Sequence, residues 1–234
     1  MTPPANTNTA EIATRTVVVQ ADGVDLEGDL AVPHGARGIV LFAHGSGSSR
    51  HSSRNRFVAE ELRRGDLGTL LFDLLTPDEE RVDMRTAHIR FDIGLLADRL
   101  IGAMRWLDAQ EQTRGLPVGL FGASTGGGAA LVAAARRPDR VDAVVSRGGR
   151  PDLAAEELRM VRAPTLLIVG GRDSVVIDLN KQAMRQMVAP VQLEIVSGAT
   201  HLFEESGTLE QVAELARNWF VTYLGLQSNA PPPA

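Results

Sequence analysis

Gly122-Ala123-Ser124-Thr125-Gly126 has the residue types and spacing of a nucleophile held at a sharp turn. The apolar run Leu116 to Phe121 before it reads as a buried strand. The small-residue run Gly127 to Ala135 after it reads as a helix. A serine between the two stands in strained backbone with its hydroxyl above the sheet edge. Glycines two before and two after relieve the crowding because they carry no Cβ. The helix that follows points its free N–H groups and the positive end of its dipole at the same place. The chemistry this implies is covalent acyl transfer on Ser124. A plain Gly/Ser-rich loop is the competing reading, and the flanking strand and helix argue against it.

A nucleophilic serine needs a base, and the base needs an orienting acid. When a nucleophile sits at a strand-to-helix turn of this kind, the chain order is serine, acid, histidine. Of five histidines only His201 follows Ser124. It closes the loop Ser197-Gly198-Ala199-Thr200-His201 after the last apolar run, so it belongs at the carboxyl edge of a sheet, where sites in open α/β sheets form. Asp173 fits the acid: it follows the run Leu166 to Val169 and the turn Gly170-Gly171-Arg172. An aspartate there would fix the imidazole tautomer, although Gly-Gly-Arg-Asp equally suits a simple turn. Asp178 falls within a helical pattern, and Asp152 lies on the wrong side of the preceding strand.

Two backbone donors are needed for the oxyanion. One is expected from the N–H of Thr125 and the other from the N–H of Ser46, in the small-residue loop His44-Gly45-Ser46-Gly47-Ser48-Ser49. His44 precedes the serine and is expected to brace this loop; a direct contact with substrate is the alternative. Arg147 stands at the carboxyl end of a central strand, in Ser146-Arg147-Gly148-Gly149-Arg150. It could grip a carboxylate or phosphate of an anionic acyl substrate. An ion pair with Asp73 or Asp152 is the simpler expectation. The charged stretch Asp73 to Asp92, with His88 and Arg90, reads as a solvated approach to a long helix more readily than as a rim of the site. Glu204 and Glu205 either modulate His201 or open the final helix.

The elements that must hold these residues alternate between strand and helix patterns, as in an α/β domain with a largely parallel sheet. Thr16 to Gln20 and Leu26 to Val32, separated by Asp22-Gly23, read as an antiparallel hairpin. Strands are expected at Gly38 to Ala43, Leu70 to Asp73, Val141 to Ser146, Thr165 to Val169 and Val191 to Val196. Helices are expected at Phe57 to Arg64, about Phe91 to Asp108, and Val176 to Met187. Leu209, Val212, Leu215, Ala216, Trp219, Phe220 and Tyr223 mark one face of a closing helix. Only about twenty residues separate Ser146 from Thr165, too few for a large lid, so an open site suited to small esters is expected.

The 234 residues are 44% hydrophobic and 23% charged, enough for one domain with a sizeable core. Residues 15–226 are expected to form it, with flexible tails at 1–14 and 227–234. The net charge of −5 gives no reason to expect nucleic acid, and the absence of cysteine removes disulfide and thiolate chemistry. The first fifteen residues do not read as a signal peptide, and no apolar run approaches the ~20 residues of a membrane span. A cytoplasmic protein is the expectation, with no membrane partner.

Taken together, His44-Gly45-Ser46-Gly47, the Ser124 pentapeptide, Gly170-Gly171-Arg172-Asp173 and Gly198-Ala199-Thr200-His201 resemble the α/β-hydrolase superfamily. The likeness is to its small, lidless dienelactone-hydrolase-like branch and covers about Thr16 to Leu224. It implies a central sheet of about eight strands with helices on both faces, and neither metal nor organic cofactor. Dienelactone hydrolase itself uses a cysteine nucleophile, whereas this chain has serine, so the dienelactone substrate is not implied. The expected function is a serine esterase for a small carboxylic ester. Thioester, lactone or amide hydrolysis and acyl transfer share the same triad, and a non-catalytic ligand-binding protein on the same fold is the alternative of another class.

Overall fold

A computed structural model describes residues 12–225. Apart from Ile12 to Thr14, the expected tails lie outside the described residues. The eight strands form one sheet. They are β1 (Arg15–Ala21), β2 (Val24–Ala31), β3 (Gly38–Ala43), β4 (Leu67–Phe72), β5 (Val118–Ala123), β6 (Val141–Arg147), β7 (Thr165–Gly170) and β8 (Val191–Val196). Their order across the sheet is β1-β2-β4-β3-β5-β6-β7-β8. β1 and β2 are antiparallel around Asp22 and Gly23, which have φ 49° and 76°. That double left-handed turn matches the twist of a two-residue hairpin. From β4 onward the pairing is parallel.

Parallel strands covered on both faces need continuous apolar runs, and β3, β4 and β5 are buried at every residue. Helices α1 (Ser53–Arg63) and α6 (Thr208–Leu224) share one apolar cluster on one face. Helices α3 (Ile93–Ala109) and α4 (Thr125–Arg136) share the other. α5 (Ser174–Met184) contributes Ala183 to that second cluster. No described helix is long and apolar enough to cross a membrane.

The sequence of strands reverses direction between β3 and β5: β4 lies on one side of β3, β5 on the other. Loops leaving the carboxyl ends of two such strands diverge and leave a crevice. The loop after β3 carries Ser46, and the turn after β5 carries Ser124. Beneath them the Phe42 and Phe121 rings pack 4.9 Å apart at 37°, a contact that contributes about 0.5–1.5 kcal/mol beyond its buried area. The two strands that present the site are thereby tied together below it.

One segment differs from the sequence expectation. Residues 77–86 form a helix, α2 (Pro77–Thr86), rather than a polar approach. Thr76 accepts from the Glu79 N–H at 3.2 Å, and the Glu79 carboxylate accepts from the Thr76 N–H at 2.7 Å. That capping box, with Pro77 at the first turn, was readable in Thr-Pro-Asp-Glu. The connection between β6 and β7 is two short 3-10 turns over Pro151–Met160, kinked at Ala155 (φ 46°, ψ −127°), with no lid.

Candidate active site

Ser124 joins β5 to α4 with φ 51° and ψ −120°. A non-glycine residue adopts such backbone at a cost of about 1–3 kcal/mol, and only where its surroundings over-determine it. They do so here. The Ser124 N–H donates to the Arg147 carbonyl at 3.2 Å, and its carbonyl accepts from the N–H groups of Gly127 and Arg150, each at 3.0 Å. The flanking glycines answer to close approach. A Cβ on Gly122 would lie 2.5 Å from the Gly127 Cα, and one on Gly126 would lie 2.6 Å from the His44 carbonyl oxygen.

His201 follows β8, and Asp173 follows β7 at the N-cap of α5. The His201 Nδ1 lies 2.6 Å from the Asp173 Oδ2. A carboxylate facing Nδ1 keeps the proton there and leaves Nε2 as the acceptor. The His201 side chain is 39% exposed and that of Asp173 only 16%, so the acid is sheltered while the imidazole reaches the crevice. Gly148 makes room for the ring: a Cβ there would come within 3.4 Å of both Cε1 and Nδ1. Gly148 directly follows Arg147, whose carbonyl receives the Ser124 N–H. Ser124 and His201 therefore lie on either side of one two-residue segment. Asp178 is exposed on α5, and Asp152 pairs with Arg150 at 2.7 Å.

The loop that carries His201 is held by Glu205, whose role the sequence left open, and by Phe203. The Glu205 carboxylate accepts from the Thr200 N–H at 3.0 Å, and this bond holds its carboxyl below the usual range. Phe203, at φ 56°, buries its ring almost completely in the cluster beneath. Glu204 instead pairs with Arg54 of α1 at 3.3 Å.

On the opposite side, the Ser46 Oγ and Thr125 Oγ1 lie 3.1 Å apart, so the side chains of the two residues expected to supply oxyanion donors are neighbours. Thr125 is the first residue of α4, so its N–H has no acceptor within the helix. His44 donates from Nδ1 to the Gly45 carbonyl at 3.1 Å and accepts at Nε2 from the Leu74 N–H at 3.1 Å. Burial pulls its pKa below the ordinary value, overriding the Gly45 bond and the charges of Asp73 and Glu80. Both ring nitrogens serve the backbone of the loop. Asp73 ties the same loop down by accepting the Arg50 N–H at 2.8 Å and pairing with the Arg50 guanidinium.

A cavity of about 190 Å³ opens beside Ser46 and Thr125, walled by Leu74, Leu75, Met84 and Leu96. It lies below the usual size of a drug-like pocket, which runs from about 300 Å³. Arg90 and Asp83 also line it, paired at 2.5 Å. Part of the stretch from 73 to 92 therefore walls this cavity, while His88 and most of its other residues are exposed to solvent. Among the described residues no group of three or more His, Cys, Asp or Glu side chains is arranged to hold a metal ion.

Among the described residues Arg147 does not make the ion pair expected of it. Asp73 is taken by Arg50, and Asp152 by Arg150. The Arg147 side chain is buried, and its Nε and Nη1 have no hydrogen-bond partner. Its guanidinium lies 5.9 Å from the centre of the Phe203 ring.

Residues 61–224 match the dienelactone hydrolase family. A crystal structure of a dienelactone hydrolase from Anabaena variabilis superposes with a TM-score of 0.89 at 59% identity, covering 91% of this chain and 98% of that one. A "Putative phosphoribosyl transferase" of Mycobacterium tuberculosis is 62% identical over 208 residues, 89% of this chain but 46% of that protein. A "Putative carboxymethylenebutenolidase" of Aquifex aeolicus is 32% identical over 120 residues, 46% of this chain and 52% of the other. The chain spans about half the length of the curated relatives it matches.

Proposed function

The chain belongs to the dienelactone hydrolase family, and on that premise we propose that it hydrolyses a small carboxylic ester through an acyl-enzyme on Ser124. The observation that carries this reading is the 2.6 Å contact of His201 with Asp173 at the sheet edge where Ser124 stands in its strained turn. The Ser124 hydroxyl attacks the ester carbonyl while the His201 Nε2 takes its proton. Asp173 holds the Nδ1–H and stabilises the imidazolium. The N–H groups of Ser46 and Thr125 bind the tetrahedral oxyanion, which forms at the N-terminus of α4. The C–O bond to the leaving alcohol then breaks, and His201 returns the proton to that alcohol. Water, deprotonated by the same imidazole, releases the acid and restores the serine.

The cavity beside Ser46 and Thr125 takes a short acyl or alcohol group and has no room for a long chain. The name of the Mycobacterium tuberculosis relatives describes proteins about twice the length matched here. In our reading that designation belongs to their other half, because the residues gathered at this sheet edge suit acyl transfer. Labelling by a fluorophosphonate probe tests the assignment. The wild type is expected to react once per chain and to release a burst of alcohol from an activated ester. A folded Ser124→Ala variant that still labels and turns over at the wild-type rate would remove Ser124 from the mechanism.

A further inference from the structure

Arg147 is a charged side chain at the sheet edge whose burial the mechanism leaves unexplained. It is 7% exposed, and burying a guanidinium without a counter-charge is costly. Its guanidinium lies over the face of Phe203, and among the described residues its Nε and Nη1 have no hydrogen-bond partner. Burial, and secondarily the charge of Arg54, pull its pKa down to about 10, which still leaves it protonated at neutral pH.

The groups around it add positive charge. Arg54 stands in the first turn of α1, near enough for its charge to be felt at Arg147. Among the described residues its Nε is likewise buried without a partner, and its one ion pair is the 3.3 Å contact with the exposed Glu204. The first turn of α1 contains no acidic residue, so the positive end of its dipole is uncompensated there. The backbone of Arg147 is bonded to Ser124, and a Cβ on the next residue, Gly148, would lie 3.4 Å from the His201 ring. This cluster therefore flanks the reacting centre on the side of the His201 loop.

We infer that Arg147 and Arg54 form an oxyanion-binding subsite beside Ser124, which takes a carboxylate or phosphate carried by the ester substrate. The inference rests on the ester-hydrolase reading for the word substrate, but not for the site itself. Guanidinium forks suit both planar carboxylates and phosphates. Two cations, only one of them part-neutralised by a carboxylate, favour a dianionic phosphate monoester over a single carboxylate.

Binding of inorganic phosphate and of acetate is measured by calorimetry on the wild type, Arg147→Met and Arg54→Ala. In parallel, kcat/KM is measured for three esters of one alcohol with a neutral, a carboxylated and a phosphorylated acyl group. The wild type is expected to bind phosphate more tightly than acetate and to prefer the anionic esters through KM. Both variants should lose at least about tenfold of that preference, the scale of a charged hydrogen bond, with the neutral ester little changed. Tighter acetate than phosphate would keep the site and assign it to a carboxylate. Failure of the wild type to bind either anion overturns the inference, as does an equal loss on neutral and anionic esters in folded variants. If Arg147→Met does not fold, Arg54→Ala decides. If no ester is hydrolysed, the proposed function fails while the two titrations still read the subsite.

Discussion

On the α2 side of Ser124, the charged residues that shape the site lie against opposite charges. Asp73 holds Arg50, and Asp83 holds Arg90 through its carboxylate and its main-chain carbonyl. Burial pushes the Asp83 carboxyl up, but the backbone and side-chain bonds from Arg90 outweigh it and keep it below its usual range. On the α1 side, Arg147 is more deeply buried than Arg90 and has no acidic partner among the described residues. The first arrangement fixes loops and leaves a small, mostly apolar cavity for a neutral group. The second keeps its hydrogen-bonding capacity for something that arrives from outside. A buried charge satisfied within the protein is a brace; one left unsatisfied is a binding group held at a cost to stability.

The largest effect expected separates the reacting centre from both flanks. Ser124→Ala should lower kcat by about 10⁴-fold or more, the scale for losing a nucleophile whose partners act as a unit. Phosphate binding at Arg147 should survive unchanged in the same protein. A large fall in phosphate affinity would mean that the flank and the centre are one site, and the comparison would lose its meaning.

Charge removal on the two flanks should then act with opposite sign on stability. Arg147→Met replaces an unpartnered buried cation with an apolar side chain of similar length. It should raise the unfolding free energy by about 1–3 kcal/mol, given a pKa pulled to about 10. Arg90→Met leaves the Asp83 carboxylate facing nothing and should lower stability. Urea denaturation of the two variants beside the wild type reads the difference directly. If both variants lose stability alike, Arg147 has an internal partner in solution, and the contrast between the flanks collapses.

Much of this arrangement could be read from the chain because it depends on local signals. Buried parallel strands require unbroken apolar runs, and Gly38 to Ala43 is such a run and nothing else. Ser124 and His201 could be singled out as candidates because each follows a strand with glycine two or three residues away. What escaped depends on partners distant in sequence. The Arg50–Asp73 clamp spans 23 residues and the Arg54–Glu204 pair spans 150. No local pattern distinguishes Asp73 as a partner of Arg50 rather than of Arg147. The α2 helix is a different kind of omission. Its capping box was present in the sequence, but few apolar residues mark a buried face; Asp83 is the one buried residue in it.

The smallest expected effect lies on the braced flank, at His44. The ring donates to the Gly45 carbonyl and accepts the Leu74 N–H, so protonation would set a second N–H against the Leu74 donor. Burial lowers its pKa in the folded protein, while in the unfolded chain it titrates near the ordinary value of about 6.5. As pH falls through that value, the unfolded state takes up a proton that the folded state refuses. Stability therefore falls with pH, at up to about 1.4 kcal/mol per unit from this one group. His44→Gln can supply both a donor and an acceptor but cannot titrate. It should be less stable than the wild type at neutral pH, with the gap narrowing as the pH is lowered from 7.5 to 5.5. Parallel stability curves would show that His44 is not the group that refuses the proton, and the loop it holds would then depend on Asp73 and Arg50 alone.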